Sequence, residues 1–199
     1  MTFSTDSRFH RQLVVFNGTL PALLMAIDAW RGTLGANPVE FATRATGVLC
    51  LVALVATLLV TPLRKIFGWS WLAKQRRLIG LYAFFYGFLH LVIYIAGDRD
   101  WQVFSVFDDV YKRPFIAVGM ASFLIMVPLA VTSTNAMIKR LGGKRWTKLH
   151  KATYLVAIGG VIHYYMIVKS DITYPVFFAV VFAILLGYRA VTSLRGRAG

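Results

Sequence analysis

The chain has little charge and a single cysteine for its length. Only 15% of its 199 residues are charged, 58% are hydrophobic, and the mean hydropathy is +0.64. This composition excludes an ordinary soluble domain and is typical of a membrane protein. Cys50 stands alone inside an apolar run, so the chain has neither a disulfide framework nor a thiol pair.

Long apolar runs dominate the rest of the chain, and there are six of them. Each is close to the roughly 17 to 25 residues that a helix needs to cross a bilayer. Basic residues, glycine or proline bound each run, and no long polar segment remains. We therefore predict an all-α membrane protein in which residues 1–199 form a single domain, a bundle of six transmembrane helices. The predicted helices are residues 13–30, 45–63, 78–97, 115–134, 152–168 and 175–191.

The first apolar run has two interpretations. Arg8 and Arg11 followed by an apolar stretch also resemble a signal peptide. Asp28 interrupts the small-residue cleavage pattern and the run is long, so a retained helix is favoured.

Acidic residues are scarce, at 8 against 22 lysines and arginines. Most of the basic residues fall near the N-terminus, in segments 64–77 and 139–151, and from Arg189 onward. The positive-inside rule then predicts that both termini face the cytoplasm, an N-in/C-in topology. The net charge of +14 therefore reflects membrane topology and does not indicate nucleic-acid binding. It would also attract the chain to anionic membrane lipid.

Three of the four histidines lie in or beside apolar runs, where ionisable groups are rare and usually functional. His90 lies roughly 21 Å along its helix from Arg76, and His163 lies roughly 20 Å beyond His150, at 1.5 Å per residue. His90 and His163 should thus lie at similar depth on two helices that run in the same direction. This geometry is typical of two imidazoles that ligate one heme. Packing or hydrogen bonding is the ordinary alternative for either histidine.

A second site is predicted at the cytoplasmic end, where His150 begins the fifth helix. Arg76 is the residue expected across from it. Because guanidinium stays protonated, Arg76 is better suited to clamp heme propionates than to bind iron. The sequence leaves three roles open for Arg76: iron ligand, propionate clamp, or no role in the site. His150 and His163 do not share a helix face unless the helix is kinked, which Gly159 and Gly160 could allow.

Several strings in the chain resemble the ferric-reductase-like transmembrane family and, within it, the MsrQ family, also called YedZ. The similarity spans essentially the whole chain. The strings are RRLIGL at 76–81, LHL at 89–91, KRPF at 112–115, LAVTST at 129–134, GKRW at 143–146, LH at 149–150, YLV at 154–156 and IHY at 162–164.

The resemblance implies a b-type heme protein of the bacterial inner membrane, with one or two hemes at His90, His150 and His163. Such a protein is an electron-transfer subunit rather than a catalytic one. It would carry electrons from the quinol pool or a cytosolic flavin reductase to a periplasmic molybdopterin enzyme that reduces methionine sulfoxide in oxidised proteins. FMN is associated with the family, although no residue here is assigned to it. The wider family has histidine pairs on both helices, and Arg76 stands where the fourth would be.

Other interpretations remain. A six-helix proton-coupled transporter could use His90, His163 and Asp28 as a relay, and an assembly subunit would need none of them. The chain ends without a flavin or nicotinamide domain, so we expect an external electron donor. The outer loop 98–113, rich in aromatic and acidic residues, is a candidate docking site for the electron acceptor, or else an ordinary interfacial loop.

Overall fold

The structure is a computed structural model that describes residues 7–198, with the side chains of residues 8–194. Helices account for all the regular secondary structure of these described residues. The contacts group the chain into two compact units, the first ending at Gln102 and the second beginning at Val103.

The first unit contains three long helices. They are α1 (Ser7–Arg31), α2 (Pro38–Phe67) and α3 (Ser70–Ile93), and α3 continues as a π-helical turn, Tyr94–Asp98. Each of the first three predicted segments lies within these helices, which extend beyond the apolar runs into polar sequence.

The ends of α2 follow from local sequence. The side chain of Asn37 accepts a hydrogen bond from the backbone N–H of Glu40 at 3.1 Å, and Pro38 occupies the first turn, where its missing N–H costs little. Gly68 ends the helix with a φ of 70°, a left-handed conformation that glycine adopts without strain. The two-residue connection that results turns the chain straight back into α3.

Helices α2 and α3 pack antiparallel, with the start of α2 against the end of α3. Thr43 in α2 contacts His90 in α3, and Thr57 faces Gly80. Lipid is as apolar as leucine, so close contact between the helices, rather than exclusion of water, holds such a pair together. A Cβ placed at Gly80 would lie 3.9 Å from the Thr57 side chain, an ordinary van der Waals contact.

Helix α1 is fastened to α3 by two tyrosines. The Tyr86 hydroxyl donates to the carbonyl oxygen of Gly18 at 2.6 Å, and the Tyr82 hydroxyl donates to that of Val15 at 3.1 Å. The ring of Tyr82 lies directly over Gly18, at a position where a Cβ would come within 2.6 Å of it. Gly18 therefore allows the close approach of these two helices.

The second unit contains six helices among its described residues. Helix α8 packs against both α5 and α9, and the buried apolar core of the unit includes Val156, Ala157 and Phe182. The helices are α4 (Ser105–Lys112), α5 (Pro114–Val131), α6 (Asn135–Leu141), α7 (Gly143–His150), α8 (Thr153–Ile167) and α9 (Thr173–Ala198).

Helix α5 ends at Val131, three residues before the predicted boundary at 134. Thr132 takes a non-helical conformation, and its hydroxyl donates to the carbonyl oxygen of Pro128 at 2.6 Å. The backbone N–H of Thr132 still bonds to Pro128, but the hydroxyl of Ser133 donates to the carbonyl oxygen of Leu129 at 2.7 Å and so competes with the helical N–H for that acceptor. The short helices α6 and α7, which were not predicted, then form the connection to α8.

Five described helices are long and apolar enough to cross a membrane. Helix α8 has 15 residues, about 22 Å at 1.5 Å per residue, so the count of six spans and the N-in/C-in topology stay predictions. The chain between His150 and His163 is interrupted at Lys151 and Ala152. Gly159 and Gly160 lie inside α8, and a kink at those glycines stays a prediction. The five spans are Arg8–Arg31, Pro38–Phe67, Ser70–Asp98, Pro114–Val131 and Thr173–Leu194.

Candidate functional site

His90 lies in the last turn of α3 and is half-buried against the second turn of α2. Its Nδ1 is 2.8 Å from the carbonyl oxygen of Thr43. A Cβ built at Gly47 would lie 3.2 Å from Nδ1 and 3.3 Å from Cε1 of the same imidazole. The ring therefore rests on a stretch of α2 that carries no side chain at Gly47.

His163 in α8 has the same arrangement in the second unit. Its Nδ1 is 2.7 Å from the carbonyl oxygen of Phe115, in the first turn of α5. A Cβ at Gly119 would lie 2.7 Å from both Nδ1 and Cε1 of His163, closer than real Cβ contacts come. In both units the glycine follows the carbonyl residue by four positions, one helical turn, so the two lie on the same face of their helix.

The hydrogen bonds of His90 and His163 fix which ring nitrogen carries the proton. A carbonyl oxygen can only accept, so Nδ1 must donate in both residues. In the neutral imidazole, Nε2 then carries the lone pair, which is the state that binds a metal. Metal-ligating histidines in proteins are usually oriented in this way, with the other nitrogen bonded to a carbonyl or carboxylate.

The described residues around His90 and His163 offer no further protein ligands for a metal ion. Among the described residues, no group of three or more His, Cys, Asp or Glu could hold a metal ion. The Thr43 hydroxyl, on the residue whose carbonyl oxygen accepts from His90, is buried without a hydrogen-bond partner among the described residues. Two oriented imidazoles, each against a glycine, therefore fit heme ligation.

His150 ends α7 and is held differently. Its Nδ1 lies 3.1 Å from the carbonyl oxygen of Trp146, one turn earlier, and its Nε2 lies 3.2 Å from that of Leu129. The hydroxyl of Ser133 is also 3.3 Å from Nε2. Both nitrogens thus face carbonyl oxygens at the C-terminal end of α5 and within α7, and no glycine lies against the ring. Binding of iron through Nε2 would require this nitrogen to turn away from Leu129.

Comparison with known proteins decides the family. Residues 45–161 match the family described as "Ferric reductase like transmembrane component". A protein of Azospira oryzae named protein-methionine-sulfoxide reductase heme-binding subunit MsrQ is 51% identical over 177 residues, 88% of this chain and 76% of that protein. The chain belongs to the MsrQ family.

Further MsrQ proteins agree with this assignment. Those of Ralstonia nicotianae and Rhodospirillum rubrum are 46% and 47% identical, over 89% and 83% of this chain and 82% and 80% of their own lengths. No solved structure matches the chain. The predicted resemblance and the all-α membrane fold are therefore confirmed, and the chain is a multi-pass protein of the inner membrane.

Arg76, the fourth predicted site residue of this MsrQ family member, lies in the second turn of α3 and is half-buried. It belongs to the first unit, whereas His150 belongs to the second. Its role as a partner across from His150 stays a prediction.

The predicted docking loop is divided between the two units. In the second unit, Phe104, Phe107 and Tyr111 are exposed along one face of α4, at spacings of three and four residues. In the first unit, Trp101 is also exposed and follows Asp100 in the left-handed region, with φ values of 63° and 46°. Exposed aromatic residues suit a partner surface and the headgroup level of a membrane equally.

Within the predicted docking loop, the adjacent acidic residues Asp108 and Asp109 are the candidates for charge contacts with the acceptor, and they differ in their environment. Asp108 is exposed and lies 3.8 Å from Lys112, whereas Asp109 is buried and lies 3.4 Å from Arg113. Asp109 thus has a structural role in α4, and only Asp108 offers a negative charge that a partner can reach.

Asp28, proposed for a proton relay, does not reach into the interior of the first unit. It is exposed near the end of α1, and its carboxylate accepts from the hydroxyl of Thr33 at 3.4 Å. The carbonyl oxygens of Thr43 and Phe115 accept from His90 and His163 and cannot themselves pass a proton on.

Sequence reasoning missed Gly47 and the two carbonyl oxygens. It did not place Gly119 against His163 either. No spacing in the sequence marks these contacts, because every helical residue has a neighbour four positions earlier and only the packing of two helices selects one pair.

Proposed function

We propose that this chain is the heme-binding membrane subunit of a protein-methionine-sulfoxide reductase system, an electron carrier rather than the catalytic subunit. The MsrQ relatives carry that description in their names. The observation that supports it most is the repeated arrangement in which His90 and His163 each donate through Nδ1 to a main-chain carbonyl oxygen and lie against a glycine.

In this proposal His90 and His163 would each bind heme iron through Nε2. The carbonyl oxygens of Thr43 and Phe115 hold the rings and, by accepting the Nδ1 proton, raise the basicity of Nε2. The apolar helices exclude water, which favours a non-covalently held b-type heme. The bound heme supplies reversible one-electron transfer.

A second heme on the cytoplasmic side is part of the proposal, with His150 as a ligand. Its imidazole already lies at the end of α5, and a turn of the ring would free Nε2 from Leu129 and Ser133 for iron. Arg76 would clamp the propionates, for which a planar guanidinium is well shaped.

The electron path follows the family resemblance. Quinol or a cytosolic flavin reductase would supply electrons, and a periplasmic molybdopterin enzyme that reduces methionine sulfoxide would receive them. FMN is a possible further cofactor of the system. The exposed face of α4, with Phe107, Asp108 and Tyr111, is the proposed docking surface for the acceptor.

The absorption spectrum of the purified full chain tests the proposal. We expect a Soret band with reducible α and β bands, and His90→Ala and His163→Ala should each remove, or convert to a high-spin form, the part of this signal that belongs to the heme they bind. His10→Ala is the matched control, since His10 stacks on Trp71 at 4.3 Å and has no role in the proposed site. A colourless protein after expression with sufficient heme would reject the proposal and favour a transporter or an assembly subunit.

A further inference from the structure

Two glycines face the two imidazoles that the proposed function assigns to heme. Gly47 lies one turn after Thr43 in α2, and Gly119 lies one turn after Phe115 in α5. In each unit the histidine donates to the carbonyl oxygen and covers the glycine, so two groups define the position of each ring.

The hydrogen bond alone does not fix the plane of an imidazole. Nδ1 can keep its bond to a carbonyl oxygen while the ring swings about that contact through a range of angles, because acceptor geometry at a carbonyl is broad. Contact of the ring with a flat stretch of helix removes this freedom. A side chain at the glycine would occupy the space in which the Cε1 edge now lies.

The two positions differ in how strictly they require glycine. At Gly119 an added Cβ would come within 2.7 Å of Nδ1 and Cε1 of His163, so the ring must move. At Gly47 the corresponding distances to His90 are 3.2 and 3.3 Å, which a displacement of a few tenths of an ångström relieves. A ring pushed off its position lengthens or misaligns its Nδ1 hydrogen bond.

We propose that Gly47 and Gly119 are positioning residues that set the planes of the His90 and His163 imidazoles, and that Gly119 is the stricter of the two. This inference rests on the proposed heme ligation. The orientation of the axial rings and the strength of their Nδ1 hydrogen bonds tune the reduction potential of a heme. The glycines would therefore adjust the electronic properties of the site without touching iron.

The experiment compares Gly47→Ala and Gly119→Ala with two control variants in the full chain. Gly80→Ala lies on the same helix pair as Gly47, where the added Cβ meets Thr57 at an ordinary 3.9 Å. Gly159→Ala lies on the same helix pair as Gly119, where the added Cβ overlaps the hydroxyl of Ser122 and not a histidine. The readouts are heme per polypeptide, the low-spin ferric electron paramagnetic resonance spectrum, the midpoint potential and helix content.

We expect Gly119→Ala to lose heme or to shift the g values and the midpoint potential strongly. Gly47→Ala should keep its heme and show a smaller shift of both. Gly80→Ala should match the wild type, and Gly159→Ala should lower stability while the g values of the heme that remains stay unchanged.

Unshifted g values and potential in both Gly47→Ala and Gly119→Ala, with wild-type heme content, would overturn the inference while leaving heme binding intact. Absence of heme from the wild type would instead reject the proposed function. If Gly119→Ala does not fold, Gly47→Ala decides, because its contact can be relieved: a shift supports the inference and a wild-type spectrum overturns it.

Discussion

The rings of Trp146 and His150 are stacked, with 3.8 Å between their centroids and 26° between their planes. The indole Nε1 also donates to the carbonyl oxygen of Thr132 at 2.9 Å, and His150 lies against Leu129. The indole thereby satisfies the Thr132 carbonyl oxygen just beyond the end of α5, and His150 Nε2 lies 3.2 Å from the Leu129 carbonyl oxygen, which also accepts from the hydroxyl of Ser133. Helix α7 is thereby fixed to α5, and His150 takes its position from that contact.

Trp146→Phe should lower the free energy of unfolding by about 1 to 3 kcal/mol, the cost of leaving a buried acceptor without its donor. The phenyl ring keeps most of the stacking on His150, while the Thr132 carbonyl loses its hydrogen bond. Chemical unfolding in detergent measures the change. Trp30→Phe is the control, since Trp30 is 87% exposed, and an equal loss in both variants would contradict the capping role.

His150→Ala should lower heme iron from two per polypeptide to one if the proposed inner heme exists. The measurement is heme iron per polypeptide, with His10→Ala as the histidine control. One heme in both the wild type and His150→Ala would eliminate the inner site at His150 and leave this residue with its structural contacts to Leu129 and Trp146.

Tyr86→Phe should loosen α1 from α3. The hydroxyl of Tyr86 donates to the carbonyl oxygen of Gly18 at 2.6 Å, and its removal costs about 0.5 to 1.5 kcal/mol, as for a typical intramolecular hydrogen bond. Unfolding in detergent and faster proteolysis of α1 both measure the effect. Tyr111→Phe, at a side chain that is 91% exposed, should change neither, and a matching loss there would show that the effect is not specific to α1.

Asp108→Lys should slow reduction of the acceptor protein while leaving heme content unchanged, if α4 is the docking surface. Asp109 is unsuitable for this test because it is buried beside Arg113, so charge reversal there would disturb α4 itself. The rate of acceptor reduction is measured at low and high salt, because a contact between exposed charges weakens with ionic strength. An unchanged rate at low salt would assign the aromatic face of α4 to the lipid interface instead.

The length of the apolar runs was sufficient to predict the long helices, because bilayer thickness sets their length. The short helices α4, α6 and α7 were not predicted, since they lie in polar connections where neither length nor hydropathy marks a helix. Helix α5 ends at Val131, where the backbone N–H of Ser133 bonds to Ala130 and its hydroxyl takes the carbonyl oxygen of Leu129, a local arrangement that the apolar pattern does not reveal.

The histidines of the candidate site could be predicted as residue types, but their environment could not. His90 and His163 stood out because imidazole is rare in apolar runs. Nothing in the residue names of Thr43 and Phe115 indicates that their carbonyl oxygens hold these rings, since every residue has such an oxygen and only the packing of two helices selects one. Gly47 was overlooked because glycine is common in membrane helices for reasons of packing alone.

The use of main-chain oxygens to hold His90 and His163 has an evolutionary consequence. Any substitution at Thr43 or Phe115 that preserves the helix keeps the acceptor in place, because a substitution changes the side chain whereas the main-chain carbonyl oxygen accepts the hydrogen bond. Point mutations at Thr43 and Phe115 thus leave the hydrogen bonds of the two histidines intact. The side chains at these two positions are free to be selected for other purposes. Drift in the sequence can proceed there without disturbing the orientation of either imidazole.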